Sequence, residues 1–224
     1  EIPELISTLE KIKTIKIKSI YSHLASSKNS QDDNFTNNQI QKFINCKLKF
    51  HNIFKDNFDT HIYNSSGLIR FYKKNHPFNY ARIGLALYGG TNDIDCKPIA
   101  ELKCVVSQIR IINKGDSVGY NRSFIAKNKM KIGLVPFGYA DGLQRNWGHG
   151  VLKFQYKNKL IPTVGEISMD SCIVDLSDVN NISELDEICY FGKDRPIWQL
   201  AKELNTIPHE IMATLSRRIR RIYQ

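Results

Sequence analysis

The 224-residue sequence lacks several features that would assign it to other classes of protein. It has no apolar run near the roughly 18–20 residues of a membrane helix and no signal peptide. It also lacks an initiator methionine, since it opens Glu1-Ile2-Pro3, as a fragment or processed product does. Its five cysteines include no CxxC pair, so neither a disulfide framework nor a zinc site is indicated. We therefore expect a cytoplasmic protein with reduced cysteines and no membrane partner.

What is present is an ordinary globular composition, with 42% hydrophobic and 24% charged residues. This is enough to build a core in one large or two modest domains. The formal net charge of +10 is compatible with a nucleic-acid ligand. The lysines are scattered, however, and no basic motif is interleaved with aromatic residues, as proteins that bind single strands require. We therefore expect no nucleic-acid partner.

Residues 1–96 alternate between helix and strand patterns. The predicted elements are a helix over Ile2–Leu9, a strand over Lys16–Tyr21, a polar loop over Ser26–Asn38, a helix over Ile40–Leu48, and strands over His61–Tyr63 and Ile83–Tyr88. This order predicts an α/β region with a parallel sheet and crossover helices. Three strands cannot close a β/α barrel, which takes about 250 residues. Either the sheet is small and open, or most of a barrel lies upstream of Glu1.

Residues 97–224 change to short alternating strands joined by turns. The predicted strands cover residues 102–106, 131–135, 151–156, 160–164, 172–176 and 187–191. Two helices close the chain, one opened by Pro196 and one by Pro208. Their apolar faces are Ile197, Leu200, Ala201 and Leu204 in the first and Ile211, Leu215, Ile219 and Ile222 in the second. This part is predicted to be an all-β domain with two closing helices.

Six unusual tracts stand at predicted strand ends and turns, where catalytic residues of β/α folds collect. They are Ser22-His23-Leu24-Ala25, Thr60–Ser66, Ala81–Gly89, Val118-Gly119-Tyr120-Asn121, Gly138-Tyr139-Ala140-Asp141-Gly142 and Gly165–Asp170. Taken singly, each has a structural explanation: His23 as a hydrogen-bonded structural residue, Arg82 as an ion-pair partner, and the Asp-Gly tract as a turn. The informative feature is their common order and spacing.

At these tracts, and at the closing Ser216–Tyr223 segment, the chain resembles the alanine racemase family of pyridoxal-phosphate (PLP) enzymes. The resemblance implies that residues 1–96 are the last strands of a PLP-binding, TIM-type β/α barrel and that residues 97–224 are the family's C-terminal β domain. It also implies a bacterial isomerase that interconverts L-alanine and D-alanine for peptidoglycan. The family works as a homodimer in which the β domain of one subunit completes the active site of the other.

Three residues match the family's catalytic positions. Tyr120 matches the tyrosine that takes the Cα proton from the L-enantiomer, Arg82 the arginine bonded to the pyridine nitrogen, and His23 the histidine between them. An ordinary tyrosine, with a pKa of about 10, is a poor base at neutral pH. The resemblance therefore implies that positive charge carried by the histidine and arginine favours the anionic form.

Five further residues match binding positions of the family. Ser65, with the backbone of Gly84 and Leu85, matches the phosphate cradle. Tyr139 matches a tyrosine near the substrate entrance, and the Met169 backbone matches a substrate contact. No metal ligand is implied.

The match breaks at two points. His209 stands where the family has a tyrosine that contacts the phosphate; a histidine can bond a phosphate oxygen but has a shorter reach. The Lys-Ala-Asn-Ala-Tyr-Gly-type tract, whose lysine anchors the cofactor and acts as the base for the D-enantiomer, is absent from these 224 residues. Lys11, Lys13 and Lys16 lie in or beside the first predicted helix without that context.

Three interpretations follow. The chain is the C-terminal part of a racemase whose N-terminal half is absent or encoded separately, and is inactive alone. Alternatively, it is a non-catalytic remnant of a split or decayed gene. The third interpretation is a basic β-domain module that binds a nucleic acid or a protein, and it rests on charge alone. The retention of Tyr120, Arg82 and His23 favours the first, because decay has no reason to spare all three.

Overall fold

The computed structural model describes residues 1–12, 14–54, 57–73, 76–92 and 96–223. These residues form two compact units, one extending to Leu87 and the other from Tyr88 onward. Lys13 lies outside the described residues. Within the described ranges, no helix combines the length and the apolar character needed to cross a membrane. The same ranges contain no cluster of three side chains of the types that ligate metals.

The first unit contains three helices and two short parallel strands. They are α1 (Ile2–Lys11), β1 (Ser19–Tyr21), α2 (Asp33–Phe54), β2 (Asp59–His61) and α3 (Ser65–Phe71). In the parallel β1–β2 pair, Tyr21 lies opposite His61. One further parallel bridge joins His61 to Tyr80. The first two strands are therefore parallel, as predicted, and the bridge at Tyr80 lies before the segment Ile83–Tyr88 that was predicted as the third strand.

Local sequence explains why these helices form and which face they bury. In α2 the buried residues Thr36, Phe43 and Phe50 recur every seven positions, so they share one face. The α3 helix begins after Asn64, whose Oδ1 accepts a hydrogen bond from the Gly67 N–H at 2.8 Å and so caps the first turn. The buried core cluster of this unit is small: Leu24, Phe43, Ile62, Tyr63 and Phe78.

Three predictions for this unit are wrong. The strand predicted over His61–Tyr63 lies earlier, because β2 covers Asp59–His61 and ends at His61. The segment Ile83–Tyr88 is not a strand, because Leu85–Tyr88 forms a 3₁₀ helix and the Leu87 N–H donates to the Gly84 carbonyl at 2.9 Å. The polar segment Ser26–Asn38 is not a loop throughout, because α2 already begins at Asp33. The polar residues of this segment that belong to α2 are mostly exposed. An exposed first turn of a helix has the same polar composition as a loop, so composition alone predicted a loop.

The second unit is built on a seven-stranded antiparallel sheet with the strand order β3-β11-β8-β9-β10-β7-β4. Its strands are β3 (Leu102–Val105), β4 (Gln108–Ile112), β7 (Met130–Val135), β8 (Lys153–Tyr156), β9 (Lys159–Val164), β10 (Cys172–Asp175) and β11 (Glu187–Phe191), beside a two-stranded ribbon of β5 (Ser117–Val118) and β6 (Phe124–Ile125). All six predicted strands are present. The edge strand β4 was not predicted; its Ile111 is exposed, so it lacks a clean buried face.

Two helices close the second unit, as predicted: α4 (Ile197–Glu203) and α5 (Pro208–Thr214). The predicted face of α4 is buried. The predicted length of α5 is wrong, because the helix ends at Thr214. Leu215 and Ile219 still pack against the core outside the helix, whereas Ile222 is exposed. An α/β region is followed along the chain by an antiparallel β unit, so the predicted fold class is confirmed.

Candidate functional site

In the first unit, the carboxyl ends of β1 and β2 meet at Arg82. Its Nη1 donates to the His61 carbonyl at 3.2 Å and lies 2.7 Å from His61 Nδ1. Its Nη2 donates to the Ser22 carbonyl at 2.6 Å and lies 3.2 Å from His23 Nδ1. Two predicted site residues, Arg82 and His23, are thus brought together where parallel strands end, which is where α/β folds place ligands.

The contacts with Arg82 orient both histidine rings. A guanidinium has donors but no acceptor, so Nδ1 of His23 and Nδ1 of His61 can only accept from it. The other ring nitrogen of His23, Nε2, lies 3.4 Å from the side-chain amide of Asn64. His23 is held further by its backbone, because Gln39 Nε2 donates to its carbonyl at 2.6 Å. The His23 side chain is exposed, so the Nε2 edge of its ring is accessible to a ligand or a partner group.

None of the ion pairs among the described residues involves Arg82. Its charge therefore has no carboxylate partner there. The half-buried guanidinium lies 5.3 Å over the Tyr21 ring, and that ring stacks on His61 with 5.2 Å between centroids. Neutral acceptors and an aromatic face orient a guanidinium without neutralising it. Arg82 is therefore a fixed cation.

A second group of donors lies at Ser65 and Gly84. The Gly84 N–H donates to Ser65 Oγ at 3.3 Å. A Cβ added to Gly84 would meet no atom within 4 Å, so this peptide faces open space. Leu85 follows as the first residue of the 3₁₀ helix. A hydroxyl group and backbone N–H groups beside open space form a donor set that fits a phosphate group.

In the second unit, Tyr120 stands on a strained turn. Gly119 precedes it with φ +82°, and Asn121 and Arg122 have φ 55° and 53°. Side chains rarely adopt this left-handed region, and such strain concentrates at functional sites. The Tyr120 side chain is 71% exposed. The turn therefore presents the phenol to solvent instead of burying it.

Two depressions of the second unit adjoin Tyr120. One has a volume of about 410 Å³ and is lined by Gly119, Tyr120, Ser168, Met169, Asp170 and Ser171. The other has a volume of about 560 Å³ and is lined by Tyr120, Tyr139, Arg145, Ile167 and Ser168. The Tyr139 N–H donates to the Ser168 carbonyl at 3.0 Å, which joins the loops of Tyr139 and Met169. The structure thus gathers three predicted residues, Tyr120, Tyr139 and Met169, on one surface of this unit.

His209 is the predicted site residue for which the structure supplies no further contact. It is exposed near the start of α5, and its side chain forms no hydrogen bond or ion pair with other described residues. Its role as a phosphate contact stays a prediction.

Sequence reasoning missed three residues that shape these sites. His61 bonds Arg82, Tyr21 stacks on His61, and Arg145 forms a 2.6 Å ion pair with Glu166 beside Tyr120. His61 ends a strand inside one of the quoted tracts, so its position was a usable signal. Arg145 stands in a 3₁₀ turn with no distinctive local pattern.

Comparison with known proteins identifies the same family along both units. The family described as "Alanine racemase, N-terminal domain" matches residues 1–92, and "Alanine racemase, C-terminal domain" matches residues 99–223.

Individual relatives agree with these matches. Alanine racemase 2 of Caldanaerobacter subterraneus subsp. tengcongensis is 32% identical over 235 residues, covering 97% of this chain and 58% of that protein. The alanine racemase of Helicobacter pylori strain Shi470 is 32% identical over 241 residues, covering 98% and 61%. The crystal structure of alanine racemase from Bartonella henselae, with covalently bound pyridoxal phosphate, superposes with a TM-score of 0.86 at 30% identity, covering 100% of this chain and 61% of that one. The chain thus spans 58% and 61% of the length of these two curated relatives.

Proposed function

Because the chain belongs to the alanine racemase family, we propose that it is the C-terminal part of an alanine racemase, an isomerase that interconverts L-alanine and D-alanine for peptidoglycan. One observation carries the proposal. Arg82 is a half-buried cation without a carboxylate partner in the described ranges, held by Ser22, His23 and His61 where parallel strands end. A structural arginine is ordinarily paired with a carboxylate, whereas a fixed, unneutralised one is suited to a ligand.

The proposed cofactor is PLP. The Ser65 hydroxyl and the N–H groups of Gly84 and Leu85 are proposed to hold its phosphate, and Arg82 to donate to its pyridine nitrogen. When bound, this cofactor supplies an electron sink that eases removal of the Cα proton. Arg82 stays protonated at any physiological pH, so it donates and leaves that nitrogen unprotonated. A weaker electron sink favours return of the proton to Cα over transamination.

Tyr120 is proposed as the base for L-alanine. A phenol acts as a base at neutral pH only where nearby charge or donors favour its anion. The proposed donor is the Nε2–H of His23, whose orientation follows from the contact of its Nδ1 with Arg82. In the proposed homodimer, Tyr120 comes from one subunit and the His23–Arg82 pair from the other. Tyr139 and the Met169 backbone are proposed to contact the substrate.

The proposed site needs a lysine from outside these 224 residues, as both the cofactor anchor and the base for D-alanine. No tract of the family's lysine type is present in the sequence. We propose that an N-terminal half, upstream in the same protein or as a separate chain, supplies it. His209 is proposed as a weaker phosphate contact than the family's tyrosine.

A non-catalytic remnant is the second candidate, and it is favoured by the absence of the family's lysine tract from these 224 residues. The two candidates differ in whether the retained residues still work. The third interpretation, a basic binding module, still rests on the net charge of +10 alone.

Complementation tests the proposal. The chain is mixed with PLP and with an N-terminal half of the Helicobacter pylori racemase that contains the lysine tract, and D-alanine formed from L-alanine is measured. We expect turnover only in the mixture, falling about 100- to 10,000-fold with Tyr120→Phe, as for the loss of a general base. Tyr223→Phe is the matched control, because that side chain is 89% exposed and outside the proposed site. No turnover in any mixture would favour the remnant.

Mixing two inactive variants tests whether the site is shared between subunits. Arg82→Gln and Tyr120→Phe chains, each inactive in the complemented assembly, are combined in equal amounts after dissociation. Half of the dimers are then mixed, and each mixed dimer has one intact site, so about a quarter of the wild-type activity is expected. A mixture as inactive as either variant would place both residues in the site of one subunit.

A further inference from the structure

An arginine outside the predicted site ties together the two loops that carry Tyr139 and Met169. Arg218 Nε donates to Asp141 Oδ1 at 2.6 Å, and Arg218 Nη2 donates to Asp170 Oδ1 at 2.8 Å. Asp141 ends the 3₁₀ turn that Tyr139 begins, and Asp170 directly follows Met169. One guanidinium therefore joins both loops through a charge-assisted hydrogen bond to each carboxylate.

The Asp141 end of this link is firmly built. The carboxylate is buried, and its Oδ2 accepts a hydrogen bond from the Gly138 N–H at 2.8 Å. The Ser216 N–H donates to the Asp141 carbonyl at 3.0 Å, which docks the segment before Arg218. Burial raises the pKa of Asp141, but the hydrogen bonds from Arg218 and Gly138 outweigh it and hold the pKa below its ordinary value. The link is therefore charged at neutral pH.

The two loops also approach each other closely at Gly138. A Cβ there would lie 2.4 Å from the Met169 carbonyl oxygen and 2.5 Å from that of Ser168, so only glycine fits. The Ala140 N–H donates to the Met169 carbonyl at 2.9 Å. Backbones packed this closely leave little room for independent movement, so a change in one loop is transmitted to the other.

We infer that Arg218 is a positioning residue: by joining Asp141 to Asp170, it fixes the Met169 main chain relative to the Tyr139 side chain. It thereby sets the shape of the depression beside Tyr120. The catalytic meaning of this inference rests on the proposed function. Its geometry can be tested without any turnover.

The test uses the methyl signals of the chain's three methionines, Met130, Met169 and Met212, after labelling with methyl-¹³C. We expect Arg218→Gln to shift the Met169 signal by more than its line width and to leave Met130 unchanged. Arg218→Lys should also shift it, because an ammonium lacks the planar fork that reaches both carboxylates. Arg217→Gln removes the same charge from the neighbouring residue, which forms no ion pair with the described residues, and should shift none.

An unmoved Met169 signal in folded Arg218→Gln would overturn the inference. If that variant does not fold, Asp170→Ala decides by the same criterion, since it removes the acceptor of Arg218 at an exposed position without disturbing a buried group. In the complemented assembly, Arg218→Gln should lower kcat/KM by about 100-fold, as for a displacement of about 1 Å, chiefly by raising KM. If Arg218→Gln shifts the Met169 signal but the complemented assembly shows no turnover, only the proposed function is contradicted. If the assembly turns over and Arg218→Gln leaves its rate unchanged, the positioning role is overturned.

Discussion

The two units support their candidate site residues in different ways. In the first, Arg82 is held by hydrogen bonds to the ends of two three-residue strands, beside a small core that includes Leu24 and Phe43. In the second, Tyr120 lies on the turn of the β5–β6 ribbon and Met169 on a loop of the seven-stranded sheet, in a unit with a far larger core. In the first unit the site depends on polar contacts beside a small core, whereas in the second a large apolar core stabilises the sheet and the Arg218 link joins two of the loops that carry the site.

The largest expected difference between the units is in hydrogen exchange. Backbone amides of β1 and β2 should exchange at least about 100-fold faster than those of β7 and β10, because a short sheet over a small core opens at low free energy. Exchange followed by mass spectrometry on the chain alone measures it. Equal protection of the Ser19–Tyr21 and Met130–Val135 segments would remove the contrast between the units. Adding the N-terminal half should narrow the difference by protecting β1 and β2.

A cavity in the larger core tests whether the units unfold separately. Leu200 in α4 is fully buried, so Leu200→Ala should lower the free energy of unfolding of the second unit by about 2–5 kcal/mol. Urea denaturation measures this loss, and exchange at Thr60 reports on the first unit, which should be unaffected. Leu160→Ala, at a side chain that is 49% exposed, is the control and should change stability by no more than about 0.5 kcal/mol. Equal losses in both units would show that they unfold as one.

The link at Asp141 predicts a dependence of stability on pH. Its pKa in the folded chain lies below the unfolded value of about 3.9. Its stabilisation is therefore complete above that value and is lost as the pH falls through the folded pKa. Asp141→Asn should lower the unfolding free energy at neutral pH by about 1–3 kcal/mol and flatten the acid decline. Asp178→Asn, at an exposed carboxylate, is the control. Acid profiles of Asp141→Asn and the parent chain that run parallel would refute this role.

The smallest effect is expected at the Arg145–Glu166 ion pair. Arg145 is 64% exposed, so Arg145→Gln should leave the unfolding free energy nearly unchanged, because an exposed ion pair contributes little to stability. Thermal or urea unfolding of the second unit measures it. A clear loss of stability would mean that this exposed ion pair helps to hold the loops around Tyr120.

The sequence predicted the second unit better than the first. Alternation of buried and exposed residues determines strands such as β8 and β10, and the i, i+3, i+4 pattern of Ile197, Leu200 and Ala201 determines α4. In the first unit, the apolar run Ile83–Tyr88 has no such period, and its 3₁₀ form depends on one turn after Gly84. Short apolar runs do not separate strand from helix.

The candidate site was predictable where a residue stands in a recognisable tract, as Tyr120, Tyr139 and Met169 do. The contacts of Arg82 with His61 and Tyr21 were not, because they depend on the register that sets His61 opposite Tyr21. Nor was Arg218, which reaches Asp141 and Asp170 across 77 and 48 positions of sequence. Contacts between residues so far apart follow from tertiary packing, which no local pattern encodes.

This chain is proposed to hold part of a racemase site and to lack the anchoring lysine. Reductive trapping of the cofactor is the direct test of both points. The chain is incubated with PLP, alone and with the N-terminal half of a curated relative, and is then reduced with borohydride and digested for mass spectrometry. We expect an adduct on a lysine of the added half, formed only in the mixture with this chain and weakened by Arg82→Gln. A specific adduct on a lysine of this chain, such as Lys11 or Lys16, accompanied by turnover without the added half, would contradict it.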